Sequence, residues 1–279
     1  MGRKIDNARM EKVKSQDTFE DICTCINNSS KSFLWHCFIK DQQHSAFDAQ
    51  RRNGDKLLQI DFSENYSCTQ QNEVQSAHWN KKQITIFTAV FWSQDTTKSY
   101  AVISDNHDHC KVAVFAFLKT IFQDLKWAGL IANGDKIDLW SDGAASQFKN
   151  RFTLSTIEIF NATFDIAITW NFFASYHGKG AVDDVGGRLK QAANLHMRRG
   201  HVVSDLKSFV DAASNSRIVV KSVPNELIEQ RGKEVEPHFA RARRIAGIQK
   251  LHCFSSSAVG SLTAKVFTLS TENSSYRIA

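Results

Sequence analysis

The sequence predicts an α/β fold in which a mixed five-stranded sheet is flanked by helices. One observation is a set of three β-rich runs after Asp55, of which the last two are separated only by the short polar segment 94–98, as in an antiparallel hairpin. The other is the downstream alternation of apolar helical patterns with short apolar runs, which is typical of helices that connect parallel strands. The predicted element order is therefore β-β-β-α-β-α-β-α, and it occupies residues 54–200.

The five predicted strands are short runs of β-branched and aromatic residues bounded by polar or glycine-containing turns. They cover residues 57–62, 83–92, 99–104, 136–142 and 164–173. The helical patterns between and after them cover residues 110–129, 148–160 and 188–199. The first of these helices has almost no polar face in its first half, so we expect it to be buried against the sheet.

The regions outside this core are predicted to be a helical N-terminal arm, residues 1–53, and a small α+β C-terminal extension, residues 201–279. The arm is predicted to divide into two helices, because the polar run 27–30 interrupts the apolar pattern before a second helix at 32–51. The extension is predicted to contain helices at 204–213 and 234–250 and strands at 217–223 and 261–270.

The amino-acid composition indicates which kind of binding partner and which cellular compartment to expect. Lys and Arg number 35 against 29 Asp and Glu, and this modest basic excess weakly favours a polyanionic partner. The charged N-terminus lacks the features of a signal peptide, and no apolar run approaches the roughly 20 residues that cross a bilayer. We therefore expect a soluble intracellular protein that makes no membrane contact. The 6 cysteines form no Cys-x-x-Cys pair, which favours reduced thiols.

Several common kinds of site are disfavoured. Zinc donor atoms occur at Cys23, Cys25, His36 and Cys37, but this spacing suits a tetrahedral site poorly, so a helical arm is the preferred interpretation. The His-x-His pair at 107–109 is better explained as a cap of the following helix than as a metal site. The sequence also lacks a Walker loop, a Gly-x-Ser-x-Gly elbow and a Gly-x-Gly-x-x-Gly turn, which argues against P-loop, serine-hydrolase and dinucleotide-binding functions.

The chemistry is predicted to come from carboxylates at strand ends. Asp61 ends the first predicted strand, and Asp142 ends the fourth, which should be its neighbour in the sheet. Asp183 or Asp184 stands at the start of the last helix. Acids that converge on one edge repel one another unless divalent cations lie between them, and hard oxygen ligands select Mg²⁺ or Mn²⁺, so we expect a two-metal site. Taken alone, Asp142 is better explained as a turn residue, since Asp-Gly is a common turn dipeptide, and only its place among the other acids favours a ligand role.

These acids, in this order of elements, resemble the ribonuclease-H-like fold, which is the catalytic core of D-D-E/D transposases and retroviral-type integrases. Over residues 33–250 the chain also resembles an uncharacterised group of transposon-derived animal proteins. The strings that carry this second resemblance are DFSENY at 61–66, SDG at 141–143, QFKN at 147–150 and HGKG at 177–180. The resemblance implies that Asp61, Asp142 and Asp183 are the metal ligands, with Asp in a third position where many transposases have Glu.

The resemblance implies metal-dependent DNA strand cleavage followed by strand transfer, in which a freed 3′-hydroxyl attacks target DNA. The implied partners are transposon ends and target DNA, the implied location is the nucleus, and the implied assembly is a homo-oligomer. Two other functions fit the same residues. One is a domesticated or decayed transposon-derived protein that binds DNA or a protein without catalysis, and the other is a structure-specific nuclease acting on RNA or DNA.

Side chains near the acids are candidates for supporting roles. Glu64 and Asn65 follow Asp61 closely, and His177 follows the fifth predicted strand. Each is a candidate contact for substrate or for the acids, with a loop cap or a structural histidine as the alternative. A basic rim around an acidic centre would hold phosphates, although it is also typical of an ordinary solvated face. The candidate nucleic-acid contacts are Lys149, Arg151, Lys179, Arg188 and Lys190.

Overall fold

The structure, a computed structural model, describes residues 18–68, 82–175, 177–178, 180–214 and 217–278. The chain forms two compact units, one up to Phe38 and the other from Ile39 onward. Among the helices of the described ranges, none has both the length and the apolar character required to cross a membrane.

Helix α1, Phe19–Asn53, is continuous, so the break predicted in its polar middle is wrong. Its N-terminus is capped reciprocally, because the Thr18 hydroxyl accepts a hydrogen bond from the Asp21 N–H while the Asp21 carboxylate accepts one from the Thr18 N–H. The polar middle stays helical, and the hydroxyls of Ser30 and Ser32 there donate to main-chain carbonyls three residues earlier. Local hydrogen bonds within the helix thus satisfy the residues that suggested a break.

The second unit contains nine described strands: β1 Leu57–Ser67, β2 Gln83–Trp92, β3 Thr97–Ser104, β4 Asp135–Ser141, β5 Ile166–Phe172, β6 Val219–Ser222, β7 Cys253–Ala258, β8 Ser261–Lys265 and β9 Ser274–Arg277. They form one mixed sheet in the order β6-β3-β2-β1-β4-β5-β7-β8-β9. The predicted α/β class is confirmed. The predicted number of five strands is wrong, because the five form the centre of the sheet and four further strands extend it at both edges.

Strand pairing explains the order at the centre. β2 lies antiparallel to both β1 and β3, whereas β4 lies parallel to β1 and β5 lies parallel to β4. The C-terminal region adds β6 parallel to β3 at one edge and β7 antiparallel to β5 at the other. Two of the four added strands were predicted, because β6 lies within the strand expected at 217–223 and β8 within the strand expected at 261–270. β7 and β9 were not predicted, since β7 is rich in serine and β9 has only 4 residues.

Helices cover both faces of the sheet. The remaining ones are α2 Lys111–Trp127, α3 Arg151–Phe164, α4 Ala181–Arg198, α5 Leu206–Ala213 and α6 Asn225–Arg241. α2, α3 and α6 bury their apolar residues in one core, and α4, α5 and Phe47 of α1 belong to the core on the other face. Two helix predictions are wrong in their bounds. α4 begins at Ala181 instead of residue 188, and α6 ends at Arg241, where Ala242 turns to an extended conformation.

Candidate active site

Asp61 lies inside β1 and not at its end, because the strand continues to Ser67. Its carboxylate is half-buried, and its Oδ1 accepts a hydrogen bond from the N–H of Phe62 at 2.8 Å. The Thr88 hydroxyl on β2 donates to the Asp61 carbonyl oxygen at 3.2 Å. Main-chain and neighbouring-strand contacts therefore hold this residue in place.

Asp142 directly follows β4, the parallel neighbour of β1. The sheet register pairs Gln59 with Trp140, so two residues further along each chain Asp61 and Asp142 stand side by side. The Oδ1 of Asp142 accepts a hydrogen bond from the Ala144 N–H at 3.1 Å. Asp142 is thus a turn residue, as the simpler interpretation predicted, and its register also places it beside Asp61.

Asp183 lies in the first turn of α4, because this helix begins seven residues earlier than predicted. Its Oδ2 accepts a hydrogen bond from the Gly180 N–H at 2.7 Å, so it caps the helix. α4 approaches β1 very closely at Gly186, where a Cβ atom would lie only 2.4 Å from the Ser63 hydroxyl oxygen. Only glycine fits at this crossing, and this close packing brings the start of α4 against β1.

The three aspartates line one cavity of about 520 Å³, together with Gly143, Ala144, Ser175 and Gly178. We call it the carboxylate cavity. Each aspartate has one oxygen that accepts a main-chain N–H. Within the described residues, the second oxygen of each carboxylate receives no donor from the protein. The cavity therefore contains acceptor oxygens that are oriented by the backbone and open to a ligand.

Burial and mutual repulsion favour the neutral acid in this cavity. Burial first, and then repulsion from the neighbouring Asp142 and Asp183, raise the pKa of Asp61 to about 7, although the hydrogen bond from the Phe62 N–H acts in the opposite direction. Burial also raises the pKa of Asp142, while its hydrogen bond from the Ala144 N–H acts in the opposite direction. Among the residues that the structure describes, no group of three or more His, Cys, Asp or Glu side chains is arranged to hold a metal ion.

The predicted supporting residues take different places. His177 packs edge-on against His44 of α1, with ring centroids 6.4 Å apart. Glu64 is exposed and lies 3.6 Å from the Lys190 ammonium. Asp184 is outside the carboxylate cavity and forms an ion pair with Arg188 at 2.7 Å. The neighbouring acids Asp183 and Asp184, which the sequence could not distinguish, are thus separated by their surroundings.

Asn65 belongs to a hydrogen-bonded cluster beside Asp61. Its side chain lies 2.9 Å from His109 Nε2 and 3.3 Å from the side-chain oxygen of Gln83. The His109 ring stacks on Phe62, with centroids 4.2 Å apart, and burial lowers its pKa, as does the neighbouring His107. His109 therefore packs on the residue that donates to Asp61.

The predicted basic contacts divide into two groups. Arg188 and Lys190 are on α4, where each is already ion-paired. Lys149 and Arg151 line a different cavity of about 420 Å³. Lys179 lies outside the described residues.

The second cavity, which we call the basic cavity, joins two segments that are distant in sequence. Residues 145–151 form one side, and residues 244–250 form the other. Its cationic residues are Lys149, Arg151, Arg244 and Lys250. Arg244 and Lys250 were not predicted as site residues, because both fall on the helix predicted at 234–250, where a charge is typical of a solvated face. The one available signal was the cluster of basic residues at 241–250.

Comparison with known proteins identifies a family. The family described as "Domain of unknown function (DUF8701)" matches residues 40–268, and the chain belongs to this family. No curated protein matches the chain. Among solved structures, it is similar to "Crystal structure of NurA bound to dAMP and manganese", with 11% identity and a TM-score of 0.21 over 88% of this chain and 51% of that chain. The chain thus spans about half of that protein's length, and such a low TM-score does not establish a shared fold.

Proposed function

We propose that this member of the DUF8701 family is a metal-dependent enzyme that cleaves DNA strands and transfers the freed ends, in the manner of a transposase. The observation that carries the proposal is that Asp61, Asp142 and Asp183 line one cavity, each with one carboxylate oxygen that receives no donor from the described protein. Three open acceptor oxygens around one space suit divalent cations and, with them, phosphodiester chemistry.

The topology supports the same proposal. The central strands follow the order β3-β2-β1-β4-β5, with one acid on β1, one after β4 and one at the start of α4. This is the arrangement that the resemblance to the ribonuclease-H-like fold implies. The additional edge strands β6 and β7 lie beyond β3 and β5, away from the two strands that carry Asp61 and Asp142.

The donor set fits Mg²⁺ or Mn²⁺, which Asp61, Asp142 and Asp183 would hold. Such ions would activate the attacking oxygen and neutralise charge on the scissile phosphate. The chain itself would orient the carboxylates through main-chain N–H groups, and Gly143 and Gly178 would leave room for the phosphate. At Gly178 a Cβ atom would lie 3.1 Å from the Asp142 Cβ, so a larger residue would crowd this acid.

A non-catalytic nucleic-acid-binding protein is the competing function. One observation favours it: within the described residues, no three acidic, histidine or cysteine side chains already converge as a metal-binding group. Asp183 also has a sufficient structural role as the cap of α4. Cleavage needs the carboxylates to share divalent cations, whereas simple binding of a nucleic acid does not.

Nicking of supercoiled plasmid DNA tests the proposal, with Mn²⁺, Mg²⁺ or EDTA present. We expect Mn²⁺-dependent nicking that falls by at least about a thousandfold in Asp142→Asn, because loss of a metal ligand removes several kcal/mol of transition-state stabilisation. Asp184→Asn is the matched control, since Asp184 lies outside the carboxylate cavity. Equal nicking by Asp142→Asn and the parent protein would refute the assignment.

The same assay with oligonucleotides identifies the substrate. We expect cleavage of DNA, and joining of a labelled 3′-hydroxyl end to the plasmid. Preferential cleavage of RNA or of an RNA–DNA hybrid without joining would instead show a structure-specific nuclease. Salt-sensitive DNA binding with neither cleavage nor Mn²⁺ uptake would show the non-catalytic function.

A further inference from the structure

The starting observation is Lys149, a buried lysine. The residue is 3% exposed, and within the described residues no carboxylate lies within ion-pair distance of its ammonium group. Its Nζ donates to the Gln249 carbonyl oxygen at 3.1 Å and lies 5.3 Å from the centroid of the Phe172 ring. A buried ammonium group with one carbonyl acceptor and a ring face is incompletely compensated, because burial of an unpaired charge is costly.

Three exposed cations surround the same space. Arg151 begins α3, and Arg244 and Lys250 stand on the segment between α6 and β7. All three line the basic cavity with Lys149, and none of the residues described as lining it is acidic. Like charges around one concavity repel one another, so the arrangement favours an anion that lies among them.

The basic cavity adjoins the carboxylate cavity. Ala144 lines the carboxylate cavity, and the next residue, Ala145, lines the basic cavity. Gly143, also in the carboxylate cavity, lies against the Lys149 side chain, because a Cβ atom there would be 3.5 Å from the Lys149 Cδ. A chain of phosphates that enters the carboxylate cavity would therefore meet the basic cavity next.

We propose that the basic cavity binds a backbone phosphate of the nucleic-acid strand, adjacent to the phosphate that reacts in the carboxylate cavity. Lys149 forms the floor of this site, and Arg244 and Lys250 close it from the opposite side. The inference rests on the proposed function for the identity of the strand, but it concerns binding alone. In this proposal Arg244 and Lys250 contact a backbone phosphate, and the nucleic-acid strand runs from the carboxylate cavity into the basic cavity.

The test measures DNA binding without metal, so that cleavage plays no part. A fluorescent single-stranded DNA 30-mer is titrated with protein in EDTA at several salt concentrations, and anisotropy gives the affinity. For Arg244→Gln/Lys250→Gln we expect affinity lower by about tenfold and a slope of log K against log [salt] that is shallower by about 1.4, from two lost contacts. The control, Lys207→Gln/Arg277→Gln, removes two exposed charges outside the basic cavity.

Each outcome has a distinct meaning. The inference would be overturned if Arg244→Gln/Lys250→Gln kept the melting temperature of the parent and also bound DNA with the parent's affinity and salt slope. It would also be overturned if the control variant lost as much DNA affinity as this double variant. A calorimetric titration with inorganic phosphate separates the sources of the anion. If phosphate binds and the double variant abolishes this binding while DNA binding is unchanged, the site takes a free phosphate and the strand assignment is wrong.

The inference and the proposed function fail separately. Loss of DNA affinity in the double variant, combined with no Mn²⁺-dependent cleavage by the parent protein, would support the phosphate site and refute the enzyme. Cleavage by the parent with no binding difference in the double variant would do the opposite. A Lys149→Met variant gives a further check at pH 6, where most Lys149 side chains are charged, since there it should reduce the salt slope by about 0.7 for one lost contact.

Discussion

The carboxylate cavity and the basic cavity are lined by adjacent residues of one loop, yet burial shifts the pKa values of their ionisable groups in opposite directions. Burial, together with repulsion from Asp142 and Asp183, raises the pKa of Asp61 to about 7, and burial lowers the pKa of Lys149 to about 7. In both places the neutral form is favoured because charge is costly away from water. Under the two proposals above, a cation between the acids or an anion among the bases would favour the charged form in each cavity.

The two cavities also differ in how their groups are held. The hydrogen bonds that orient Asp61, Asp142 and Asp183 come from residues one, two and three positions away in the chain. The bond that orients Lys149 goes to Gln249, which is 100 positions away. Local sequence thus suffices to orient each carboxylate, whereas the basic cavity exists only when two distant segments meet.

The largest expected effect on stability concerns Asp61. In the folded state its pKa lies about three units above the usual value, so folding is penalised fully above pH 7 and not at all below about pH 4. We expect Asp61→Asn to raise the free energy of unfolding at pH 8 without metal by up to about 4 kcal/mol, and to change it little at pH 4. Urea denaturation at the two pH values checks this. A gain that is equal at both would contradict the electrostatic cause.

Lys149 is predicted to show the opposite pH dependence. Its folded pKa is lowered, so the penalty is full below pH 7 and disappears as pH rises towards 10.4. After about 1 kcal/mol is subtracted for the lost bond to Gln249, Lys149→Met should stabilise the protein by up to about 4 kcal/mol at pH 6. Melting curves at pH 6 and pH 9.5 measure the difference. A gain that grows with pH would show that the comparison between the two cavities is wrong.

A cation should offset the repulsion in the carboxylate cavity. At a Mn²⁺ concentration about 100 times its dissociation constant, we expect the free energy of unfolding to rise by about 2.7 kcal/mol. Asp142→Asn should abolish most of this gain, while Asp184→Asn, which lies outside the cavity, should retain it. Thermal shift over a Mn²⁺ series measures the effect. A gain that Asp142→Asn retains in full would place the ion elsewhere.

A substitution at the close crossing of α4 over β1 should change stability less than the substitutions above. It tests the effect of packing on the carboxylate cavity while all its charges remain. Gly186→Ala forces a Cβ atom against Ser63 and should cost about 1–3 kcal/mol, as for an overpacked core. It should also weaken the Mn²⁺ stabilisation, although all three acids remain. Gly187→Ala is the matched control, because a Cβ atom there contacts nothing within 4 Å and should stabilise the helix by about 0.5–1 kcal/mol. If Gly186→Ala and Gly187→Ala were equally stable and gained equal stability from Mn²⁺, close packing at Gly186 would not be what places α4 against β1.

Local pattern was enough to predict the central elements. The β-branched and aromatic run of β2 predicts the observed bounds, Gln83–Trp92, and the apolar run of α2 predicts its burial. Prediction failed where tertiary contacts decide. β7 is a serine-rich segment that becomes a strand because β5 offers an open edge. Residues 242–247 leave the helix predicted at 234–250, and the short 3₁₀ turn Ile248–Lys250 that follows lies against the loop that carries Lys149.

By itself, the sequence predicted Asp61 and Asp142 as candidate acids, with either Asp183 or Asp184 as the third, and the alternation of strands and helices around them. The N–H groups that the structure shows on each carboxylate come from residues at most three positions away. These features depend on hydrophobic periodicity and on hydrogen bonds between near neighbours, both of which are local. Only the tertiary structure decided that Asp183 rather than Asp184 lines the cavity, that α4 approaches β1 at Gly186, and that Arg244 and Lys250 join Lys149. These features depend on long-range packing, which a linear pattern does not specify.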